Sequence, residues 1–348
     1  MKIFLVASFI ALLVGPLMLS KPMADGQSLS LTQERHLANI RQLTFGGKNA
    51  EAYFSFDGKK LIFQATRDGF QCDQIFVMNV DGSDIRLVST GKGQTTCAYF
   101  FPDGERILYS STHHLHPDCP PAPPRAKRFI WPLHPYEIFT SKIDGSDLKK
   151  LTFTGDYNAE ATLSKDGKIV FTSLREGDLD IYTMNPDGSG LKRLTDEIGY
   201  DGGPFFSHDG EMVVYRAHHP KNSKELEEYQ ENLSKRQIMG GRLELFLMKS
   251  DGSGRRQITD NGASNFCPFF HPSRREIIFS SNLHHPEGRE FNLYLINIDG
   301  SGLKRLTFHR GFDAFPMFSP DGKQLVFVSN RNAKHPGEFN IFLADWIP

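Results

Sequence analysis

Histidines are concentrated in a few short stretches of this chain. Of 13 histidines, nine lie in such stretches, and these are His113, His114, His116, His134, His218, His219, His284, His285 and His335. Neutral imidazoles from separate loops can bind one transition metal, such as Zn or Mn, when folding brings the loops together. Adjacent histidines cannot both easily bind one metal, so His-His-Pro also fits a strand end that enters a solvated loop. The sequence therefore allows a transition metal without requiring one.

A second set of polar side chains recurs once per repeat of the chain. Its members carry a side-chain oxygen, and they are Asn49, Thr95, Asn158, Asp201, Asn265 and Asp313. Two residues further on come Glu51, Cys97, Glu160, Gly203, Cys267 and Phe315. Around a common axis, the first set would form a ring suited to Ca²⁺ or to ordered water. Asn and Asp also cap tight turns, and their recurrence in every repeat favours that role.

Sequence signatures of common enzyme classes are absent from the chain. It contains no Gly-x-Ser-x-Gly, no His-Glu-x-x-His and no Gly-rich phosphate-binding loop followed by Lys. The 40 Lys and Arg residues nearly balance the 41 Asp and Glu residues, which argues against a nucleic-acid partner. Glu51, Glu160 and Asp201, near the histidine-rich segments, keep acid–base chemistry open. We expect a protein that is not an enzyme, with a metal-dependent enzyme as the alternative.

Three markers repeat along the chain and indicate how these side chains are positioned. Asp-Gly-Ser begins at Asp81, Asp144, Asp187, Asp251 and Asp299. An x-Asp-Gly marker recurs at an offset, with a degenerate copy at 271–274, and a Leu-Thr-like marker closes each unit. In the third unit these turns separate four short strands, which is the pattern of one propeller blade. Six such units predict an all-β, six-bladed β-propeller with four-stranded antiparallel blades.

The chain ends suggest how this ring closes. The last unit ends after three strands at 341–344, and the segment Leu37–Leu43 matches the missing fourth. Pairing of the two termini in one blade would remove two exposed strand edges. We therefore expect a single propeller over residues 36–348, with the last blade closed by the N-terminal strand.

The repeats resemble those of the TolB-type propeller family. The matching segments are Phe315-Pro-Met-Phe-Ser-Pro-Asp-Gly322 and Ile75-Phe-Val-Met-Asn-Val-Asp-Gly-Ser83. The resemblance covers about nine-tenths of the chain and implies the propeller fold. TolB itself carries an α/β domain before its propeller, whereas only about ten to fifteen residues separate the predicted signal from the first strand here. The resemblance therefore implies a TolB-like propeller without that domain, and TolB's role in the envelope transfers weakly.

Two insertions interrupt the repeats, at 112–135 and 218–242, on the predicted face opposite the tight turns. Variable loops clustered at one end of a regular scaffold are the usual place for binding. The first insertion is Pro-rich and then basic and aromatic, and the second contains a helix pattern with Ser223 as candidate N-cap. The predicted binding residues are Arg125, Arg128, Trp131, His113, His114, His218, His219, His284 and His285.

The N-terminus and the cysteines indicate a compartment. Residues 1–24 contain Lys2, an apolar run and a polar continuation, which predicts a secretory signal, with an uncleaved anchor as the alternative. No other stretch is long enough to span a bilayer. Cys72 and Cys119 fall in corresponding loops of neighbouring blades, so we expect a disulfide between them. Cys97 and Cys267 fall on opposite blades and are predicted to be buried thiols.

These observations predict a periplasmic or secreted monomer that binds a protein or an envelope polymer on its insertion-bearing face. It requires no cofactor, although Ca²⁺ or a transition metal fits the residue types. The alternative is a metal-dependent propeller enzyme, a glycan lyase or hydrolase, that uses the histidine-rich loops. Fold class alone does not separate these functions.

Overall fold

Six separate four-stranded antiparallel sheets make up the computed structural model, which describes residues 29–121, 130–273 and 275–348. The prediction of a six-bladed β-propeller is therefore confirmed. The predicted signal segment 1–24 and the predicted binding residues Arg125 and Arg128 lie outside the described residues. No helix within the described residues is long and apolar enough to cross a membrane.

The strands follow the repeat order of the sequence. The chain begins with β1 (Leu37–Gln42). Blade one contains β2 (Lys48–Phe54), β3 (Lys60–Thr66), β4 (Gln74–Asn79) and β5 (Arg86–Leu87). Blade two contains β6 (Thr95–Phe100) and β7 (Arg106–Ser111), and, after the insertion strand β8 (Ile130–Pro132), β9 (Glu137–Lys142) and β10 (Lys149–Lys150). Blade three contains β11 (Asn158–Leu163), β12 (Ile169–Ser173), β13 (Asp180–Met184) and β14 (Lys192–Arg193).

Blade four begins with β15 (Tyr200–Phe206) and β16 (Met212–His218). Its insertion contains helix α1 (Ser223–Ser234) and strand β17 (Gln237–Met239), and the blade continues with β18 (Glu244–Lys249) and β19 (Arg256–Gln257). Blade five contains β20 (Asn265–Phe270), β21 (Glu276–Ser281), β22 (Asn292–Asn297) and β23 (Lys304–Arg305). Blade six contains β24 (Asp313–Phe318), β25 (Gln324–Ser329) and β26 (Asn340–Trp346), and β1 completes it.

The Asp-Gly-Ser turns owe their recurrence to local hydrogen bonding. In blade three, Asp187 Oδ1 accepts hydrogen bonds from the Ser189 backbone N–H at 2.9 Å and from its Oγ at 2.6 Å. Gly188 between them has φ +85°, a conformation that glycine adopts without steric cost. The same Asp-to-Ser pair of bonds occurs at Asp81, Asp144 and Asp299. The sequence marker is therefore a turn that needs no tertiary contact to form.

Ring closure rests on the N-terminal strand and on a buried ion cluster. Strand β1 pairs antiparallel with β26, so the predicted closure is confirmed. Just before β1, buried Glu34 accepts hydrogen bonds from the Arg331 guanidinium at 3.1 Å, and the same guanidinium contacts Asp313 at 2.9 Å. Because these groups are buried, loss of one partner would leave an uncompensated charge. The cluster holds residues 29–36 against blade six.

Each inner strand begins with a polar side chain that ties neighbouring blades together. Asn158 Nδ2 donates to the Tyr136 carbonyl of blade two, and its Oδ1 accepts from Ser173 Oγ at 2.8 Å. In blade five, Asn265 Oδ1 likewise accepts from Ser281 Oγ at 2.7 Å. These residues therefore cap the crossings between blades.

In blade one, the equivalent polar residue makes the hydrogen bond between blades but not the one to the neighbouring strand. This residue, Asn49, donates to the Phe339 carbonyl at 2.8 Å, but the cross-strand partner of Asn49 is Ala65, where blades two, three, five and six have Ser. As a result, the buried Asn49 Oδ1 has no hydrogen-bond partner. An unpaired buried oxygen destabilises a fold by about 1–3 kcal/mol.

We predict that Ala65→Ser stabilises the protein by about 1 kcal/mol, because the new hydroxyl can donate to Asn49 Oδ1. The measurement is the free energy of unfolding from urea titrations. Ser281→Ala, which removes the equivalent bond in blade five, is the matched control and should cost about 1 kcal/mol. Equal or lower stability of Ala65→Ser would show that the site has no room for the bond.

Candidate functional site

The six inner strands converge on a small axial chamber. The residues at the equivalent position of the six strands all line it, and these are Glu51, Cys97, Glu160, Gly203, Cys267 and Phe315. Each strand has a register irregularity at or next to this residue, which adopts a left-handed φ between 50° and 58°. Non-glycine residues adopt this conformation at an energetic cost, and bulges of this kind re-aim side chains. The bulge is therefore the device that places side chains of the inner strands around the chamber.

An aromatic cluster forms the floor of the chamber. Tyr53 lies with ring centroids 5.7 Å from Tyr99 and 5.4 Å from Phe205, and Phe205 lies 5.5 Å from Phe269. These residues come from the inner strands of four blades, so their rings cross the axis. We call this set the plug. It separates the chamber from the opposite end of the channel, which the x-Asp-Gly turns surround.

The two insertions meet and form the roof. Strand β8 pairs antiparallel with β17, with Trp131 opposite Ile238, and Trp131 lines the chamber. We call these two strands the arch. Helix α1 supports the arch through Tyr229, whose hydroxyl donates to the Gly199 carbonyl at 2.8 Å and also to Asp178. The N-cap of α1 is Asn222, not Ser223 as the sequence suggested, because Asn222 Oδ1 accepts from the Glu225 N–H.

A buried ion pair occupies one side of the chamber. The Arg216 guanidinium on β16 pairs with Glu160, and its Nε donates to Tyr200 Oη at 3.0 Å. Glu160 Oε2 also accepts from Thr172 Oγ1 at 2.8 Å and from the Gly203 N–H at 2.9 Å. Both carboxylate oxygens of Glu160 therefore have donors. The pair is therefore compensated in charge and in hydrogen bonding.

The sequence around blade four makes room for Arg216. A Cβ atom at Gly203 would clash with the guanidinium, so glycine leaves the space in which the guanidinium lies. At the position of Arg216, opposite Gly202, other blades carry smaller or neutral residues such as Gln64, Ser110 and Ser280. Arg216 is not among the site residues predicted from the sequence. The sequence does contain a signal for it: an arginine in an otherwise apolar strand, next to an inner strand that contains Gly-Gly.

Glu51 also faces the chamber, but its hydrogen-bond and ion-pair partners differ from those of Glu160. Burial raises the pKa of Glu51 to about 7, against the lowering effects of a hydrogen bond with Cys97 and of the Arg216 charge. Its closest hydroxyl is Tyr53 Oη, 3.5 Å from Oε2. Among residues 29–121, 130–273 and 275–348, no cationic side chain forms an ion pair with Glu51. The chamber thus holds two carboxyl groups and one guanidinium.

The predicted ring of Asn and Asp side chains lies at the blade seams rather than around the chamber. Besides the bonds of Asn49, Asn158 and Asn265, Asp313 pairs with Arg331 and Asp201 Oδ1 lies 3.0 Å from His219 Nε2. Burial opposes protonation of His219, but the Asp201 carboxylate raises the pKa of the imidazole above its usual range. The ring residues are therefore used for capping and for pairs between strands.

The predicted binding histidines are held in their own blades. In blade two, the His113 ring lies 4.3 Å from Phe139, and burial with the neighbouring His114 charge lowers the pKa of His113 to about 4. In blade four, burial lowers the pKa of His218, which ends β16.

Blade five holds the remaining two predicted binding histidines. His284 Nε2 lies 3.5 Å from Glu290, and the backbone N–H of His285 donates to the Asn282 carbonyl. Within the described part of the chain, no group of three or more His, Cys, Asp and Glu side chains is arranged to hold a metal ion.

The cysteines are arranged as the sequence analysis expected. Cys72 and Cys119 form a disulfide with a Cα–Cα distance of 5.8 Å, so the start of the blade-two insertion is tied to the loop of blade one. Cys97 and Cys267 are buried free thiols in the chamber wall. Burial raises the pKa of both thiols well above the usual range, so they are protonated and poorly nucleophilic.

Comparisons with known proteins show the fold alone. No protein-family model and no curated protein matches the chain. A protein assigned as TolB from Agrobacterium tumefaciens is 18% identical, with a TM-score of 0.58, over 89% of this chain and 97% of that one. A gluconolactonase from Xanthomonas campestris is 14% identical, with a TM-score of 0.57, over 90% and 91%. Oligogalacturonate lyase from Vibrio parahaemolyticus is 14% identical, with a TM-score of 0.52, over 88% and 93%.

We predict that Glu51→Gln removes a pH-dependent destabilisation of the fold. A folded-state pKa of about 7, above the ordinary 4.5, means that the folded protein binds more protons in that interval. The wild-type protein should therefore lose on the order of 2–3 kcal/mol of stability between pH 4.5 and pH 7 through this group.

The measurement is the difference in unfolding free energy between wild type and Glu51→Gln at pH 5 and pH 8. We expect little difference at pH 5 and the more stable variant at pH 8. Glu105→Gln, at an exposed turn, is a control that should leave the pH profile unchanged. A constant difference between variant and wild type across this range would contradict the raised pKa.

Proposed function

We propose that this protein is a TolB-like binding scaffold that docks a protein or an envelope polymer on its arch-bearing face. The observation that carries the proposal is the arch itself. Two insertions from different blades, the largest departures from the repeat, fold onto each other over the axis. A rigid ring that presents one irregular face suits recognition of a partner, because few groups have to be ordered on binding.

The arch also has the composition of a recognition surface. Ile130, Trp131, Ile238 and Met239 are all only half-buried in the described structure. Large aromatic and aliphatic side chains at a supported, partly exposed position are typical centres of interfaces. The alternative function, a metal-dependent glycan lyase or hydrolase, lacks a ligand cluster among the described residues.

We predict that Trp131→Ala and Met239→Lys each weaken partner capture by about tenfold, because they change the proposed contact surface. The measurement is capture from an envelope extract by the immobilised protein, together with co-sedimentation with purified peptidoglycan. Lys59→Glu, on the turn-bearing face and 80% exposed, is the control and should leave capture unchanged.

Folding of each variant is checked by circular dichroism, so a lost interaction is not confused with a lost fold. A specific partner should be retained by the Lys59→Glu variant and released by both arch variants. Capture that is equal for all four proteins would place the binding surface elsewhere on the ring.

We further propose a periplasmic or secreted location. The Cys72–Cys119 disulfide supports it, because such bonds persist in oxidising compartments and are rare in the cytosol. For the test, cells are quenched with acid, and the protein is then denatured and its free thiols are alkylated. We predict that two of the four cysteines, Cys97 and Cys267, carry the alkyl label. Label on all four without added reductant would contradict the proposed location.

A further inference from the structure

The axial chamber has an unbalanced charge. The Arg216 guanidinium is paired with Glu160, and the hydrogen bonds of Tyr200, Thr172 and Gly203 complete that pair. Glu51 has no ion pair among the described residues, and of the charges that act on its pKa, those of Glu160 and Asp73 raise it and that of Arg216 lowers it. Glu51 is half-buried, and when ionised it would leave one net negative charge in the chamber between plug and arch. A partly desolvated carboxylate without an ion pair is stabilised by an added cation.

The size of the chamber limits what that cation can be. Its free volume is about 20 Å³, and one water molecule needs at least about 10–15 Å³. The chamber as it stands therefore holds about one water-sized group, and a sugar ring, a nucleobase or a phosphate group does not fit inside it. An ammonium head, which is similar in size to water, fits.

The walls of the chamber also suit a cation. Trp131 and Phe315 line it from the roof and from blade six. Trp131 already carries a cation on its ring, because the Arg216 guanidinium carbon lies 4.6 Å from the ring centroid. Aromatic faces attract ammonium groups, and the attraction is strongest where water is excluded. The described residues offer no cluster for a multivalent metal ion here.

We propose that the axial chamber binds one primary alkylammonium group, with Glu51 as its counter-ion and with Trp131 and Phe315 beside its stem. The carboxylate provides the charge and the hydrogen-bond acceptors, and the rings provide an apolar wall that a hydrated inorganic ion would not use. This site goes beyond the docking surface proposed above and does not depend on it. The ammonium group belongs either to a small free amine or to a lysine side chain.

The test is isothermal titration of the purified protein, without any partner, with methylammonium chloride at pH 8. Sodium chloride at the same ionic strength and methanol are the charge and shape controls. Nα-acetyl-lysine N-methylamide is the second probe, and its binding assigns the site to lysine side chains rather than to small amines alone. Saturable binding of methylammonium with one equivalent, and none of methanol, is the expected result.

Two further comparisons assign the binding to the chamber. Glu51→Gln keeps the shape and removes the charge, so it should abolish binding, whereas Glu105→Gln should bind as the wild type does. In the wild type, affinity should fall about tenfold from pH 8 to pH 6, because Glu51 must be ionised while alkylammonium groups stay protonated. This pH comparison holds even if the Glu51→Gln variant fails to fold.

Absence of saturable binding in the wild type, or equal binding by Glu51→Gln, would overturn the proposal. Equal affinity at pH 6 and pH 8 would overturn it as well. Because no partner is present in these titrations, a negative result leaves the docking proposal standing, and loss of partner capture by the arch variants leaves this one standing.

Discussion

The structure depends on the convergence of six inner strands on one axis. Each strand meets the axis with a bulge whose central residue has a left-handed φ, and these residues line the axial chamber. Five of the six residues are not glycine, so the ring accepts a conformational cost at each of them. Whatever chemistry the protein has at its centre follows from the identities of these six residues.

Two of these six residues are glutamates, and the surrounding residues compensate the charge of Glu160 but not that of Glu51. Glu160 is compensated because blade four replaces a small polar residue by Arg216 and provides Gly203 as the space for its guanidinium. Trp131 then covers the guanidinium from the arch. Glu51 is left without such a partner, and burial raises its pKa. The arch, the ion pair and the unpaired carboxyl are therefore parts of one arrangement.

Much of the fold could be predicted because its signals are local. An Asp-Gly-Ser turn forms from its own hydrogen bonds, so each copy marks one blade, and the missing fourth strand identifies β1 as the closing strand. The Cys72–Cys119 disulfide followed from the equivalence of two loops. The chamber was predicted only as a list of positions. The Arg216–Glu160 pair and the pairing of β8 with β17 join residues of different blades, and no local pattern specifies such contacts.

The central claim is that the chamber between arch and plug contains a half-buried carboxyl at Glu51 that has no ion pair among the described residues. The most direct measurement is a pH titration of the Glu51 side-chain carboxyl carbon by NMR, with the resonance assigned by comparison with Glu51→Gln. The account predicts a midpoint pKa near 7. A midpoint near the ordinary 4.5 would show that water or a cation of the protein already stabilises the ionised carboxyl, and it would contradict the uncompensated charge.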